Sequence, residues 1–349
     1  MAKIHSALAY YFDHQEALDN DVERRLLEAE RIRKKSLPSD LLRLAPTPAR
    51  CCDRLAYVGT DPRKMFARVR TYLEMIRFSH TVFALPFAFM GAILAAGGIP
   101  SSRTLWWILV AMVGARSGAM AMNRVADRRL DALNPRTRGR ALPRGQISLG
   151  GALVFVAAAF FVFLLAARML NPLCFALAPI AILIVCGYSY TKRFTAGSHL
   201  VLGLSLSLAP IGAWIAVRGE VGAPALVLGL GVLFWVAGFD ILYAFQDIEF
   251  DRRVGLFSIP AGLGTGKGLI IAGIFHVLTV CCLALLIPLL RLGPIYGIGL
   301  LCAAGLLLYE HSLVHRHGLA NLDMAFFNVN GVLSIGMFLA TAGDVFFAK

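Results

Sequence analysis

Two short runs hold the residues whose types and spacing could do chemistry. The first is Asn123-Arg-Val-Ala-Asp127-Arg-Arg-Leu-Asp131 and the second is Tyr243-Ala-Phe-Gln246-Asp247-Ile-Glu249-Phe-Asp251. Residues four apart share one face of a helix. The spacing therefore predicts two polar stripes, each with a carboxylate pair one turn apart. Two such carboxylates repel unless a cation lies between them. Mg²⁺ suits the position: it is hard, prefers oxygen, and is held by a few carboxylates together with phosphate oxygens. Two pairs facing one another could hold a metal-bridged diphosphate. Neighbouring arginines could then take the remaining phosphate charge, because guanidinium matches phosphate geometry. The competing reading makes these aspartates helix-end residues paired with Arg124, Arg128, Arg252 and Arg253. That reading explains one cluster more easily than two that match.

The setting sharpens the point. Residues 71–349 contain only eleven acidic residues, and five are the aspartates Asp127, Asp131, Asp240, Asp247 and Asp251. The stripes lie 120 residues apart at each matching position, a spacing that suggests an internal repeat.

The elements that must position these residues are apolar. The chain is 58% hydrophobic and only 16% charged, where a soluble domain carries about 25% charge. A helix needs about 20 residues to cross the hydrocarbon core. Runs of that kind fall at roughly 79–97, 104–122, 149–167, 172–189, 200–217, 224–244, 269–290, 293–309 and 325–346. The expected fold is all-α: an integral membrane bundle of nine transmembrane helices with short helical cytoplasmic loops and a charged N-terminal tail. Loop charge orients it. The loop after the second span carries Arg124, Arg128, Arg129, Arg136, Arg138, Arg140 and Arg144. The loops after the fourth, sixth and eighth spans are basic too, while the alternate loops carry one arginine each: Arg103, Arg168, Arg218 and Arg291. Both acidic clusters and the amino-terminal tail are thereby expected on the cytoplasmic side, as in a bacterial-type inner membrane.

Two domains are expected. Residues 1–70 form a charged tail with 14 Lys/Arg and 10 Asp/Glu, in which Asp13 to Lys35 reads as a helix. Residues 71–349 form the membrane domain. The tail has no apolar stretch of the signal-peptide kind. The formal charge of +13 is spread between apolar spans and builds no surface module, so no nucleic-acid partner is expected. The seven cysteines include no C-x-x-C pair, which argues against a zinc or iron–sulfur site and against a disulfide framework. His311, His315 and His317 have near-ligand spacing but read as a solvated loop, and His199 reads as a helix-end polar residue. A secondary transporter is the rival from another class. Its sites belong near the midplane on broken helices, whereas these clusters sit at helix ends.

At these residues the sequence resembles the UbiA superfamily of intramembrane prenyltransferases, whose pattern is N-x-x-x-D-x-x-x-D in one loop and D-x-x-x-D in another. The chain has both, and Tyr188-Ser-Tyr-Thr-Lys192 matches the family's Tyr-x-x-x-Lys. The run Asn134-Pro-Arg-Thr-Arg-Gly-Arg-Ala-Leu-Pro143 resembles the stretch after the first motif. The likeness covers roughly residues 70–349, and the motifs together are highly specific. Phe78-Ser-His-Thr-Val-Phe-Ala-Leu-Pro86, Ala209-Pro-Ile-Gly-Ala-Trp214 and Asp240-Ile-Leu-Tyr-Ala-Phe-Gln-Asp247 carry a closer likeness to 4-hydroxybenzoate polyprenyltransferases. They also resemble the MqnP-like branch of menaquinone synthesis, whose acceptor is a naphthoate. The second motif departs from the ubiquinone-pathway form, Y-A-M-V-D-x-x-D-D, at Gln246 and Phe250.

The resemblance implies Mg²⁺-dependent transfer of a polyprenyl group from its diphosphate to an aromatic acid, within the lipid bilayer. The acid is 4-hydroxybenzoate or, alternatively, a naphthoate. It implies that Asn123, Asp127, Asp131, Asp247 and Asp251 hold Mg²⁺ and diphosphate. Arg136, Arg140 and Lys192 then bind phosphate oxygens, and Tyr188 and Tyr243 line the reacting centre. Asp240, one turn deeper, would support Tyr243 or touch the acceptor; ionisable groups inside membranes are functional candidates by default. Arg77 and Arg116 are the candidates to pair with the acceptor carboxylate.

Overall fold

In a bilayer every backbone N–H and C=O must be satisfied within the chain, and a helix does this alone. The computed structural model describes residues 71–76, 84–317 and 322–347, and the described elements are all helical. Side chains are described up to Val314 and again from Asn328. The tail 1–70, with Cys51 and Cys52, and the candidate Arg77 lie outside the described residues.

The helices are α1 (Ala84–Ala96), α2 (Ser102–Leu133), α3 (Leu149–Leu170), α4 (Pro172–Thr191), α5 (Ser198–Arg218) and α6 (Ala223–Tyr243). A 3₁₀ turn (Ala244–Asp247) then leads to α7 (Ile248–Val254), α8 (Ile259–Leu290), α9 (Pro294–His317) and α10 (Leu322–Phe347). Eight helices among the described residues are long and apolar enough to cross a membrane. α1 is a ninth apolar helix, of thirteen residues over its described length. Large apolar side chains such as Val154, Phe161, Leu183, Leu301 and Leu308 are exposed, as expected of surfaces that face lipid.

Local sequence explains where helices begin. The Ser101 hydroxyl accepts the Thr104 N–H at 3.1 Å, Ser148 accepts from Gly151 at 3.1 Å, and Asn171 accepts from Cys174 at 2.8 Å. Each satisfies a donor that the first turn leaves unpaired. α9 is capped from another helix: the Asp344 carboxylate on α10 accepts the N–H groups of Gly293 and Tyr296 at 2.6 and 3.2 Å.

The main core joins α1, α6, α8, α9 and α10 around Phe87, Met90, Trp235, Leu283, Tyr296 and Met337. α5 lies against α6 at Gly203, where a Cβ would collide with the Leu233 carbonyl.

Three expectations change. The spacing predicts one helical stripe through Tyr243, Asp247 and Asp251. The 3₁₀ turn interrupts it, because three residues per turn replace 3.6 and Asp247 has φ −107° and ψ 5°. The span expected at 269–290 begins ten residues earlier, at Ile259, as a short helix that bends at Gly264, whose φ is 83°. His311 is no loop residue: α9 runs on to His317, and His311 Nε2 lies 3.0 Å from His276 Nδ1.

Candidate active site

α2 outruns its apolar span by three turns, and this extension carries the first cluster. Asn123, Asp127 and Asp131 stand on one face of it, with Asp127 and Asp131 buried. A buried carboxylate needs partners, and they come from elsewhere in the chain. Lys192 Nζ at the end of α4 is 2.7 Å from Asp127 Oδ2, and Arg193 Nη2 is 3.0 Å from Asp127 Oδ1. Arg140 Nη1 is 2.7 Å from Asp131 Oδ1. Asn123 donates to Asp127 at 3.3 Å and to the Ser189 hydroxyl at 3.4 Å.

The second cluster is tied to the first by the loop after α2. Arg136 grips Asp247 with two parallel bonds, Nε to Oδ1 at 3.2 Å and Nη2 to Oδ2 at 2.5 Å. Its third nitrogen donates to the Tyr243 hydroxyl at 2.9 Å. Burial disfavours the Arg136 charge, but the Asp247 and Tyr243 oxygens more than offset it. The guanidinium therefore titrates above its ordinary value. Asn134 adds a third donor to Asp247 at 3.2 Å and accepts the Arg136 N–H at 2.9 Å, which fixes the turn. Asp251 accepts from the Ser258 hydroxyl at 2.9 Å. The Phe257 N–H donates to the Lys192 carbonyl at 2.8 Å, fastening the end of α4 beside the second cluster.

These residues surround the mouth of a cavity of about 1030 Å³. Ile108 and Asp131 both line it, so it follows α2 for roughly 35 Å at 1.5 Å per residue. Its inner wall is apolar, with Met112, Leu170, Leu177 and Ile211. Tyr188, Asp240 and Tyr243 line it as well. Arg116 lines it within the α2 span, and its Nε is buried with no hydrogen-bond partner among the described residues.

Of the sequence-predicted residues, Asn123, Asp127, Asp131, Arg136, Arg140, Tyr188, Lys192, Asp240, Tyr243, Asp247, Asp251 and Arg116 all line this one cavity. The cations that reach the carboxylates are Arg136, Arg140, Lys192 and Arg193, while Arg252 and Arg253 are exposed. Sequence reasoning missed Arg193, Asn134 and the burial of His199. It also missed that Ala111, Ala115 and Ala119 continue the Asn123–Asp131 stripe inward at the same four-residue spacing, all on the cavity wall.

The residues suit a divalent cation. Asp131 Oδ2 is buried and has no hydrogen-bond partner among the described residues. No group of three or more His, Cys, Asp or Glu among the described residues is arranged to hold an ion alone. Mg²⁺ does not need one, because it keeps waters and takes substrate phosphate oxygens alongside one or two carboxylates.

The profile of the UbiA prenyltransferase family matches residues 84–340. A 4-hydroxybenzoate octaprenyltransferase of Shewanella sediminis is 32% identical over 281 residues, covering 79% of this chain and 97% of that protein. The apo structure of a UbiA homolog from Aeropyrum pernix K1 superposes with a TM-score of 0.69 at 31% identity, covering 75% of this chain and 96% of that one. A UbiA homolog from Archaeoglobus fulgidus bound to DMAPP and Mg²⁺ gives a TM-score of 0.61 at 20% identity, covering 78% and 99%, and at that identity speaks for the fold alone.

Proposed function

The chain belongs to the UbiA prenyltransferase family, and on that premise we propose that it transfers a polyprenyl group from its diphosphate to the ring of 4-hydroxybenzoate in quinone biosynthesis. The protein is a multi-pass membrane prenyltransferase. One observation carries the rest: a mouth lined by aspartates and their paired cations opens onto a long apolar cavity. The diphosphate occupies the mouth, and the polyprenyl chain lies along the alanine stripe of α2.

Asn123, Asp127, Asp131, Asp247 and Asp251 would hold Mg²⁺, and Arg136, Arg140, Lys192 and Arg193 would bind the phosphate oxygens. The ion would supply Lewis-acid neutralisation of the leaving diphosphate. The apolar wall keeps water from the electron-poor allylic carbon. Tyr188 and Tyr243 flank that carbon. Arg116 receives the acceptor carboxylate, because a guanidinium within a membrane span calls for an anion or polar partner. Arg77 is the second candidate for that role. The loop charges support a mouth on the cytoplasmic face of a bacterial-type inner membrane, with the charged tail 1–70 preceding this domain.

Washed membranes containing the chain, supplied with Mg²⁺, polyprenyl diphosphate and radiolabelled 4-hydroxybenzoate, should move label into the organic phase. A chelator should stop the transfer and added Mg²⁺ should restore it. A naphthoate acid tested in parallel covers the alternative acceptor, which the departures at Gln246 and Phe250 leave open; Phe250 lines the cavity. Prenylation of the naphthoate alone would change the acceptor, and transfer to neither acid would sink the proposal.

A further inference from the structure

His199 and Asp240 form a pair on the cavity wall, outside the residues proposed to hold the diphosphate. His199 Nδ1 lies 2.7 Å from Asp240 Oδ2, and His199 Nε2 accepts the Ile259 backbone N–H at 3.3 Å. A ring nitrogen that accepts carries no proton. The network therefore assigns the neutral tautomer, with its hydrogen on Nδ1 and donated to Asp240. The His199 side chain is 4% exposed and that of Asp240 is 28% exposed, and both line the cavity.

Asp240 differs from three of the four aspartates at the mouth; the fourth, Asp251, accepts from the Ser258 hydroxyl. Asp127, Asp131 and Asp247 each face a lysine or arginine, whereas the partner of Asp240 is a neutral imidazole. Asp240 also precedes Asp247 by seven residues, on α6 itself and ahead of the 3₁₀ turn, which sets it roughly 10 Å farther back along the chain. Among the described residues it is a carboxylate with no lysine or arginine partner, and it lines the cavity.

We infer that Asp240 is the base that takes the proton released by the acceptor ring, and that His199 is a positioning residue that holds its carboxylate for the task. The inference rests on the proposed transfer to an aromatic ring. As the allylic C–O bond breaks, its electron pair leaves with the diphosphate. A π pair of the ring forms the new C–C bond. The attacked ring carbon still bears its hydrogen, so the C–H bond must break and return its electrons to the ring. The proton passes to Asp240, whose His199-bonded oxygen stays fixed while the other oxygen accepts. Products leave the cavity with the proton on Asp240, and water at the mouth removes it.

The test uses the full-length chain in detergent with Mg²⁺, polyprenyl diphosphate and 4-hydroxybenzoate bearing either hydrogen or deuterium on the ring. In the wild type, C–O cleavage precedes proton loss, so ring deuterium should leave the rate unchanged. Asp240→Asn should slow turnover about a hundredfold or more, the usual scale for loss of a general base. Its remaining rate should show a primary isotope effect, and its affinity for an unreactive thiolodiphosphate analogue should match the wild type. His199→Asn keeps an N–H near the Nδ1 position and should recover most of the rate that His199→Ala loses. A slow Asp240→Asn with no isotope effect, or a fast one, would overturn the base assignment. A His199→Asn no better than His199→Ala would overturn the positioning role. A wild type that prenylates no aromatic acid would overturn the functional reading itself, and this inference with it.

Discussion

Asp127 shows what the mouth asks of a single side chain. It is buried, held by Lys192 on one oxygen and Arg193 on the other, and touched by Asn123. Asp127→Ala removes a carboxylate from the proposed metal site. Such stabilisation is worth several kcal/mol, so prenyl transfer should fall about a thousandfold or more with the protein still in the membrane fraction. Normal transfer in washed membranes carrying the variant would remove Asp127 from the metal site. Arg116→Ala tests the acceptor end. A hydrogen bond to a charged group contributes about 1.5–3 kcal/mol, so KM for the aromatic acid should rise about ten- to hundredfold. KM for the prenyl diphosphate should hold; steady-state kinetics with each substrate varied in turn reads both. The aspartates themselves were legible in the sequence, because four-residue spacing on one helix is a local pattern. Their partners were not. Arg193 and Asp127 are 66 positions apart, and Asn134 and Asp247 are 113 apart. Such pairs exist only once α2, α4 and α6 have packed.

α2 is the element that links the two functions proposed for the cavity. Ala111, Ala115, Ala119, Asn123, Asp127 and Asp131 fall on one stripe, so a single helical face turns from small and apolar to acidic along its length. The outer half of that stripe stood out in the sequence because acids are rare here. The inner half did not, because alanine is common in any apolar span. The spans were legible through hydropathy, which reports length and burial in lipid without needing partners. Hydropathy does not report the extension of α2 to Leu133, the bend at Gly264 or the 3₁₀ turn before Asp247, since each depends on backbone geometry or distant contacts. The seam between α5 and α6 permits a prediction at this scale. Gly203→Ala sets a methyl against the Leu233 carbonyl, and overpacking of this kind costs about 1–3 kcal/mol. The unfolding temperature in detergent should drop; an unchanged value would show that the two helices can separate without penalty.

For the molecule as a whole, the cavity is the organising feature, closed on one side by the core around Trp235 and lined on the other by α2, α4 and α5. On the proposed reading, its length along α2 would admit a long isoprenoid chain. Ala111→Trp would fill the inner part and leave the mouth intact. Transfer of a long polyprenyl group should fall, while transfer of a five-carbon group persists; product analysis with a series of diphosphates reads the difference, and equal loss across the series would detach chain length from this wall. The ion pairs at the mouth carry a last consequence. Asp127, Asp131 and Asp247 are already neutralised by Lys192, Arg193, Arg140 and Arg136. If the proposed ligands bind here, a metal ion arriving alone would have to displace those cations, and a diphosphate arriving alone would have to draw them off the carboxylates. Arriving together they would let every charge exchange one partner for another, so each ligand would strengthen the other's affinity by the same factor. The proposed site would then act as a thermodynamic coupler that admits the pair over either member.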